Sequence, residues 1–278
     1  MRLLIPALLL CAIFFTGCTP NNVKQDDSLK SFFDEYKADG CFALLDNGTG
    51  EFTIYNLPRY RDSLFSPAST FKIVNSLIGL QTGVITSDTM LIKWDSVTRS
   101  NTDWNRDLTM AEAFRVSSVP YYQEVARRIG KDSMEAWLNR VQYGARSSKD
   151  TVVIQSAIDN FWLDHSLKVT PDQQLGLVKQ LYFDQLPFFK IHQEAVKRVM
   201  KVEDTPEYRL AYKTGWTGWD ERTGRHIGWM VGWIEENNHP YFFVLNLESK
   251  DRDFDMQQAR LAILKGILKK KDFMQGKM

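Results

Sequence analysis

Ser69 and Lys72 stand three residues apart in Ser66-Pro67-Ala68-Ser69-Thr70-Phe71-Lys72-Ile73, and the run that follows, Ile73-Val74-Asn75-Ser76-Leu77-Ile78-Gly79-Leu80, predicts a helix too apolar for a surface. On a helix this spacing brings the two side chains within reach, one turn apart. A serine hydroxyl is a weak nucleophile until a base takes its proton, and an unprotonated amine can be that base. Burial supplies the unprotonated amine, because removing a lysine from water disfavours its charged form. The same neutral amine can capture carbon dioxide as a carbamate. Pro67 and Ala68 let Ser69 sit at a helix start, where free backbone N–H groups can receive an oxyanion. The chemistry implied is acyl transfer to Ser69, with Lys72 facing it.

Taken alone the pair is weak, since about one accidental Ser-x-x-Lys is expected in a chain of this length. Its neighbours raise its specificity. Ser117-Ser118-Val119 follows a helical stretch and precedes Pro120, and Lys213-Thr214-Gly215 ends a β-rich run, as a lysine and a hydroxyl lining the edge of a cleft would. Ser-x-x-Lys together with Lys-Thr-Gly is the pairing found in penicillin-binding proteins and serine β-lactamases.

Five motifs in order carry a closer resemblance. Ser69-Thr70-Phe71-Lys72, Ser117 to Val119, Tyr143-Gly144, Phe161-Trp162-Leu163 and Lys213-Thr214-Gly215-Trp216 resemble the class D, oxacillinase-type, β-lactamases. The likeness runs from about Gly40 to Leu268 and includes Trp104-Asn105-x-Asp107 and Ile227 to Trp233. It implies hydrolysis of the β-lactam ring of antibiotics, hence antibiotic resistance, through an acyl-enzyme on Ser69. Lys72 would be N-carboxylated and act as general base, so that carbon dioxide or bicarbonate is needed but no other cofactor. Trp162 would hydrogen-bond the carbamate, with Val119 and Leu163 keeping its surroundings apolar. Ser117 would pass a proton to the departing lactam nitrogen, with Lys213 setting the local field. The backbone N–H groups of Ser69 and Trp216 would form the oxyanion hole, and Thr214, Gly215 and Arg260 would bind the substrate, Thr214 and Arg260 holding its carboxylate. The chain departs from the family at Ala145, where Tyr-Gly-Asn is usual, which puts loop geometry in question more than catalysis. The polar, glycine-containing segment 217–226 beside the cleft would influence which lactams fit.

These residues must be positioned by elements the sequence also marks. A helix is expected near Ser28 to Lys37, stopped at Gly40. Cys41 to Leu45 and Phe52 to Tyr55, joined through Asn47-Gly48-Thr49-Gly50, predict a hairpin. Tyr208 to Thr214, Ile227 to Glu235 and Tyr241 to Glu248 predict three further strands, and Gln257 to Lys270 an amphipathic helix. The residues between read as helix after helix, with a capping box at Thr109 and Glu112, Pro120 and Pro171 in first turns, and stops at Gly83, Gly130 and Gly144. Strands at both chain ends with helices between them predict an α+β fold with a central antiparallel sheet built from both ends. The expected division is 19–65 with 171–278 as a mixed α/β region and 66–170 as a helical one, the site lying in the cleft between them.

Arg2, the apolar stretch Leu3 to Phe15, and Thr16-Gly17-Cys18 form an export signal over residues 1–18. Phe15-Thr16-Gly17-Cys18 also resembles a bacterial lipobox, which implies a periplasmic protein lipidated at Cys18 and touching the membrane only through that anchor. Asn21 to Asp27 would be a short polar tether. The 35 Lys and Arg balance 34 Asp and Glu, which gives no electrostatic case for nucleic acid. Cys41 has no internal partner and is expected to be a small buried hydrophobe. His165, His192, His226 and His239 show no metal-ligating spacing, and no metal is expected. Substrate breadth and oligomeric state are left open by the sequence.

Alternatives stand beside these readings. Glu135-Ala136-Trp137-Leu138-Asn139 imitates the Glu-x-x-Leu-Asn of class A β-lactamases, but its helical periodicity and the lack of an accompanying Ser-Asp-Asn make Glu135 a solvated helix residue. Trp162 could be plain core, Arg260 a solvated arginine, and Lys213 a strand-end charge. A peptidoglycan transpeptidase is disfavoured by Ser117 to Val119 with Trp162. A resistance sensor is disfavoured because several membrane helices and a zinc-protease domain would be expected with it.

Overall fold

The computed structural model describes residues 22–274. The signal segment 1–18 and Cys18 lie outside these residues. The amino-terminal part forms β1 (Val23–Gln25), α1 (Lys30–Glu35), β2 (Asp39–Asp46), β3 (Phe52–Tyr55) and α2 (Leu57–Asp62). There follow α3 (Lys72–Gln81), the short pair β4 (Leu91–Ile92) and β5 (Leu108–Thr109), α4 (Met110–Arg115), α5 (Val119–Ile129) and α6 (Lys131–Val141). After a long irregular stretch come α7 (Pro171–Tyr182), α8 (Lys190–Met200), β6 (Lys201–Asp204), β7 (Tyr208–Trp216), β8 (His226–Glu236), β9 (His239–Ser249) and α9 (Met256–Lys270).

Seven strands form one sheet in the order β1-β3-β2-β9-β8-β7-β6. Every pairing is antiparallel except that of β1 with β3. The two chain ends meet where β2 runs against β9, from Asp39 opposite Glu248 to Asp46 opposite Tyr241. Strand residues alternate between two cores, as a period of two demands. Cys41, Ala43 and Leu45 of β2, with Trp229, Val231 and Trp233 of β8, face the larger core, which holds α3, α5 and α7. Phe42 and Leu44, with Met230, Ile234, Phe243 and Leu245, face the smaller one, closed by α1 and α9. A sheet covered on both faces carries apolar residues on both, so β8 and β9 read as continuous apolar runs.

Most start signals act as the sequence suggests. Thr109 and Glu112 cap α4 reciprocally, Thr170 and Gln173 do the same for α7, and Pro120 and Pro171 lie in the first turns of α5 and α7. Gly83 and Gly130 stand where α3 and α5 stop.

Four expectations are corrected. Gly40 does not stop a helix: α1 ends at Glu35, Lys37 takes the left-handed turn at φ 51°, and Gly40 lies within β2. A side chain at position 40 would strike the carbonyl oxygen of Asn246 and the ring of Phe33, so glycine is needed for the strand to close on β9. Gly144 does not stop α6, which ends at Val141 with Gln142 in the left-handed conformation. Residues 23–25 of the expected tether form edge strand β1, because Val23 to Gln25 match the register of Phe52 to Ile54. Finally, residues 142–170 are irregular rather than helical. Their backbone groups find distant partners, such as Ala145 N–H with the Lys168 carbonyl and Leu167 N–H with that of Phe161.

Candidate active site

A 3-10 turn, Ala68–Phe71, leads straight into α3 and carries Ser69, half-buried at its surface. Ala68 takes a positive φ of 47°, a strained conformation for alanine that aims the turn. Lys72, the first residue of α3, is completely buried, and its Nζ lies 2.7 Å from Ser69 Oγ. Burial holds its pKa well below the ordinary lysine value, and the nearby charge of Lys213 adds to the effect. Both effects favour the neutral amine, the form to which the Ser69 hydroxyl can donate.

Ser117 occupies the joint between α4 and α5, at a φ of 54°. Its backbone N–H bonds to the Phe114 carbonyl and that of Ser118 to Ala113, while the Ser118 hydroxyl caps α5. Strain held by such fixed neighbours marks a functional position. Lys213 Nζ donates to Ser117 Oγ at 3.1 Å and to the Thr214 carbonyl at 3.1 Å. Burial, and secondarily the charge of Arg260, lowers its pKa to about 7.

Gly215 brings β7 up against the nucleophile. A Cβ there would lie 2.9 Å from the Pro67 carbonyl oxygen and 3.1 Å from the Thr70 methyl, so a larger residue would push the strand off the 3-10 turn. The result is a cleft of about 330 Å³ lined by Ser69, Ser117, Val119, Leu163, Thr214, Gly215, Trp216 and Arg260. Arg260 Nη1 donates to the Gly215 carbonyl at 2.9 Å, and burial lowers its pKa to about 10, still cationic near neutrality.

Lys72 and Trp162 do not line this cleft. Trp162 is fully buried, its ring stacked on that of Phe71 with centroids 5.1 Å apart. Its carbonyl accepts from Ser66 Oγ, yet its indole N–H is buried and has no hydrogen-bond partner among the described residues. A buried orphan donor is costly, which is the physical reason to expect an acceptor at this place.

Asn101, Trp104, Val116 and Gln257 complete the cleft wall. Trp104 is held by its indole N–H on the Val116 carbonyl at 3.1 Å, and Asn105 exchanges two bonds with the Arg99 backbone. Gln257 lies one helical turn before Arg260, so that spacing could have found it. Asn101 carries no signal of its own.

Glu135 is not a solvated helix residue. Its carboxylate accepts from the Ile154 N–H at 2.7 Å, while Asn139 accepts from Val152 N–H and donates to its carbonyl. The two side chains pin the irregular stretch to α6, and Glu135 faces that stretch from within the helix and does not line the cleft. Ala145 is exposed, with its N–H bonded to the Lys168 carbonyl at 2.7 Å, so the loop closes there through the backbone alone.

The fold and the serine–lysine site define a serine acyl-transfer protein, and residues 40–269 match the penicillin binding protein transpeptidase domain family. The β-lactamase OXA-5 of Pseudomonas aeruginosa is 33% identical over 88% of this chain and 89% of its own length. Among solved structures, the class D β-lactamase YbXI from Nostoc superposes with a TM-score of 0.82 at 35% identity, over 90% of this chain and all of that one. The C-terminal domain of the Bacillus licheniformis BlaR penicillin-receptor superposes at 0.81 with 29% identity, over 90% of this chain and 96% of that one. The chain belongs to the class D β-lactamases.

Proposed function

We propose that this protein hydrolyses the β-lactam ring of antibiotics through an acyl-enzyme on Ser69. The observation that carries this reading is the fully buried amine of Lys72 at 2.7 Å from the Ser69 hydroxyl, where burial favours its neutral form. Lys72 takes the Ser69 proton as the oxygen attacks the lactam carbonyl. Backbone N–H groups of Ser69 and Trp216 receive the developing oxyanion. Ser117 relays a proton to the departing lactam nitrogen and regains one from the protonated Lys213 that donates to the same hydroxyl. Arg260 and Thr214 hold the substrate carboxylate, a task that suits a guanidinium fork.

The residues present fit a carbamate on Lys72. The orphan Trp162 N–H is a ready donor, and Val119 and Leu163 make the adjoining wall apolar. When bound, carbon dioxide would supply an anionic carbamate oxygen at this place, a base able to activate the deacylating water. Hydrolysis of a penicillin with and without added bicarbonate tests the reading: many turnovers, reduced on removing bicarbonate and restored on adding it, are expected. A single stoichiometric burst indifferent to bicarbonate would instead favour a penicillin receptor, the reading that the likeness to BlaR keeps open.

We further propose that the protein works in the bacterial cell envelope, exported to the periplasm and anchored by lipid at Cys18. Cys18→Ser is expected to move it from the membrane pellet to the soluble fraction; continued sedimentation with the membrane would sink this.

A further inference from the structure

Trp216 and His226 sit on the two strands that border the cleft rim. Trp216 of β7 lies opposite Gly228 of β8, so His226, two residues earlier on β8, is its diagonal neighbour on the same face of the sheet. The indole N–H of Trp216 meets His226 Nδ1 at 3.1 Å, and His226 Nε2 lies 3.1 Å from the carbonyl oxygen of Arg252. An indole nitrogen only donates and a carbonyl only accepts, so Nδ1 must be bare and Nε2 must carry the proton. His226 is thereby a neutral imidazole of one tautomer, 2% exposed, with both nitrogens engaged.

What it holds matters to the cleft. Trp216 is 40% exposed and presents its ring beside Ser69, Gln257 and Arg260. The Arg252 carbonyl belongs to the turn that feeds α9, the helix bearing Gln257 and Arg260. The Trp219 ring also lies against the imidazole, with centroids 5.1 Å apart. A large aromatic plane at a cleft wall supplies an apolar surface, and its usefulness depends on the angle at which it is fixed.

We propose that His226 is a positioning residue that fixes the Trp216 indole as the wall against which the apolar acyl side chain of a lactam packs. This rests on the acyl-enzyme chemistry proposed above. His226→Phe keeps a ring but loses both hydrogen bonds; His226→Asn places an amide oxygen where Nδ1 stood and keeps the acceptor for Trp216. The variants, Trp216→Phe and the double variant His226→Phe/Trp216→Phe are compared on an aryl-substituted penicillin and on 6-aminopenicillanic acid, which lacks the acyl side chain. Loss of the bond should lower selectivity for the aryl substrate about threefold to tenfold, carried in KM while kcat is kept. His226→Asn should restore most of it, and the double variant should be no worse than Trp216→Phe alone.

Additive losses in the double variant, or equal losses for both substrates, would overturn the proposal, as would His226→Asn behaving like His226→Phe. If thermal unfolding shows that His226→Phe does not fold, Trp216→Phe decides: selectivity unchanged by loss of the indole N–H defeats the idea. The rate of Ser69 acylation by a fluorescent penicillin is measured in parallel. Wild-type protein that is never acylated refutes the acyl-enzyme reading itself, whereas wild-type acylation with additive variants refutes only the role of His226.

Discussion

The Lys72 amine lies 2.7 Å from the Ser69 hydroxyl, and the charge that acts on it, that of Lys213, has the same sign. Burial and like charge push it the same way, towards the neutral form that a base requires. Lys72→Met is accordingly expected to fold at least as stably as wild type, since a buried amine is exchanged for a thioether of similar length. Its turnover should fall by about 10³-fold. Steady-state hydrolysis alongside thermal unfolding checks both, and turnover near the wild-type rate would remove Lys72 from the base role.

Trp162→Phe separates packing from hydrogen bonding. The stacking on Phe71 is kept and the N–H removed, but the smaller ring leaves a cavity in the core, so stability should change by no more than about 1–2 kcal/mol. Turnover should fall roughly tenfold or more and need higher bicarbonate, and the carbamate signal in a 13C NMR spectrum with labelled bicarbonate should weaken. An undiminished signal would show that the indole has no carbamate to hold.

Lys213 predicts a pH dependence of stability. Its folded pKa is about 7 against an ordinary 10.5, so between these values the unfolded chain binds a proton that the folded one has released. Stability from this group therefore rises with pH across that window, by at most about 1.4 kcal/mol per pH unit, and is flat below it. In Lys213→Met the slope from pH 7 to 10 should be shallower. Urea unfolding of both proteins at several pH values measures the difference, and identical slopes would contradict it.

Glu135→Gln should leave hydrolysis within about twofold, because Glu135 holds the Ile154 N–H and not a water at Ser69. Glu135→Ala should cost about 1–2 kcal/mol, from the unpaired Ile154 N–H. A trapped acyl-enzyme in Glu135→Gln, detected by mass spectrometry, would restore the catalytic reading of the class A-like string.

The legible parts of the fold were those where local pattern and long-range demand agree. The apolar runs of β8 and β9, the reciprocal cap at Thr109 and the first-turn Pro171 are strong local signals, and the structure keeps them. β1 was hidden because three residues on a sheet edge, mostly exposed, carry no alternation to read. β6, four residues on the opposite edge of the sheet, is likewise mostly exposed. Residues 142–170 defeated the pattern because their apolar side chains are buried by contacts that follow no single period. Glu135 looked solvated because its partner, Ile154, lies 19 residues on and gives no hint in the helix itself. In the site, Ser69, Lys72, Ser117 and Lys213 were visible as spaced motifs. Trp216 was named for its backbone; the grip of His226 on its indole depends on a diagonal pairing that only the sheet register reveals.

The pairing of β2 with β9 joins Cys41 to Asn246, nearly the whole chain apart. Contacts of such long reach make folding slow, because the loop between them must close before the pairing is rewarded. During synthesis Ser69 and Lys72 emerge long before residues 239–249, the strand that joins the two ends of the sheet. Until that strand arrives, β2 with β3 and β7 with β8 are separate pieces of sheet, and the core that holds α3 cannot close over both. The nascent chain is thus obliged to stay open, and the site around the nucleophile stays unassembled until β9 has been made.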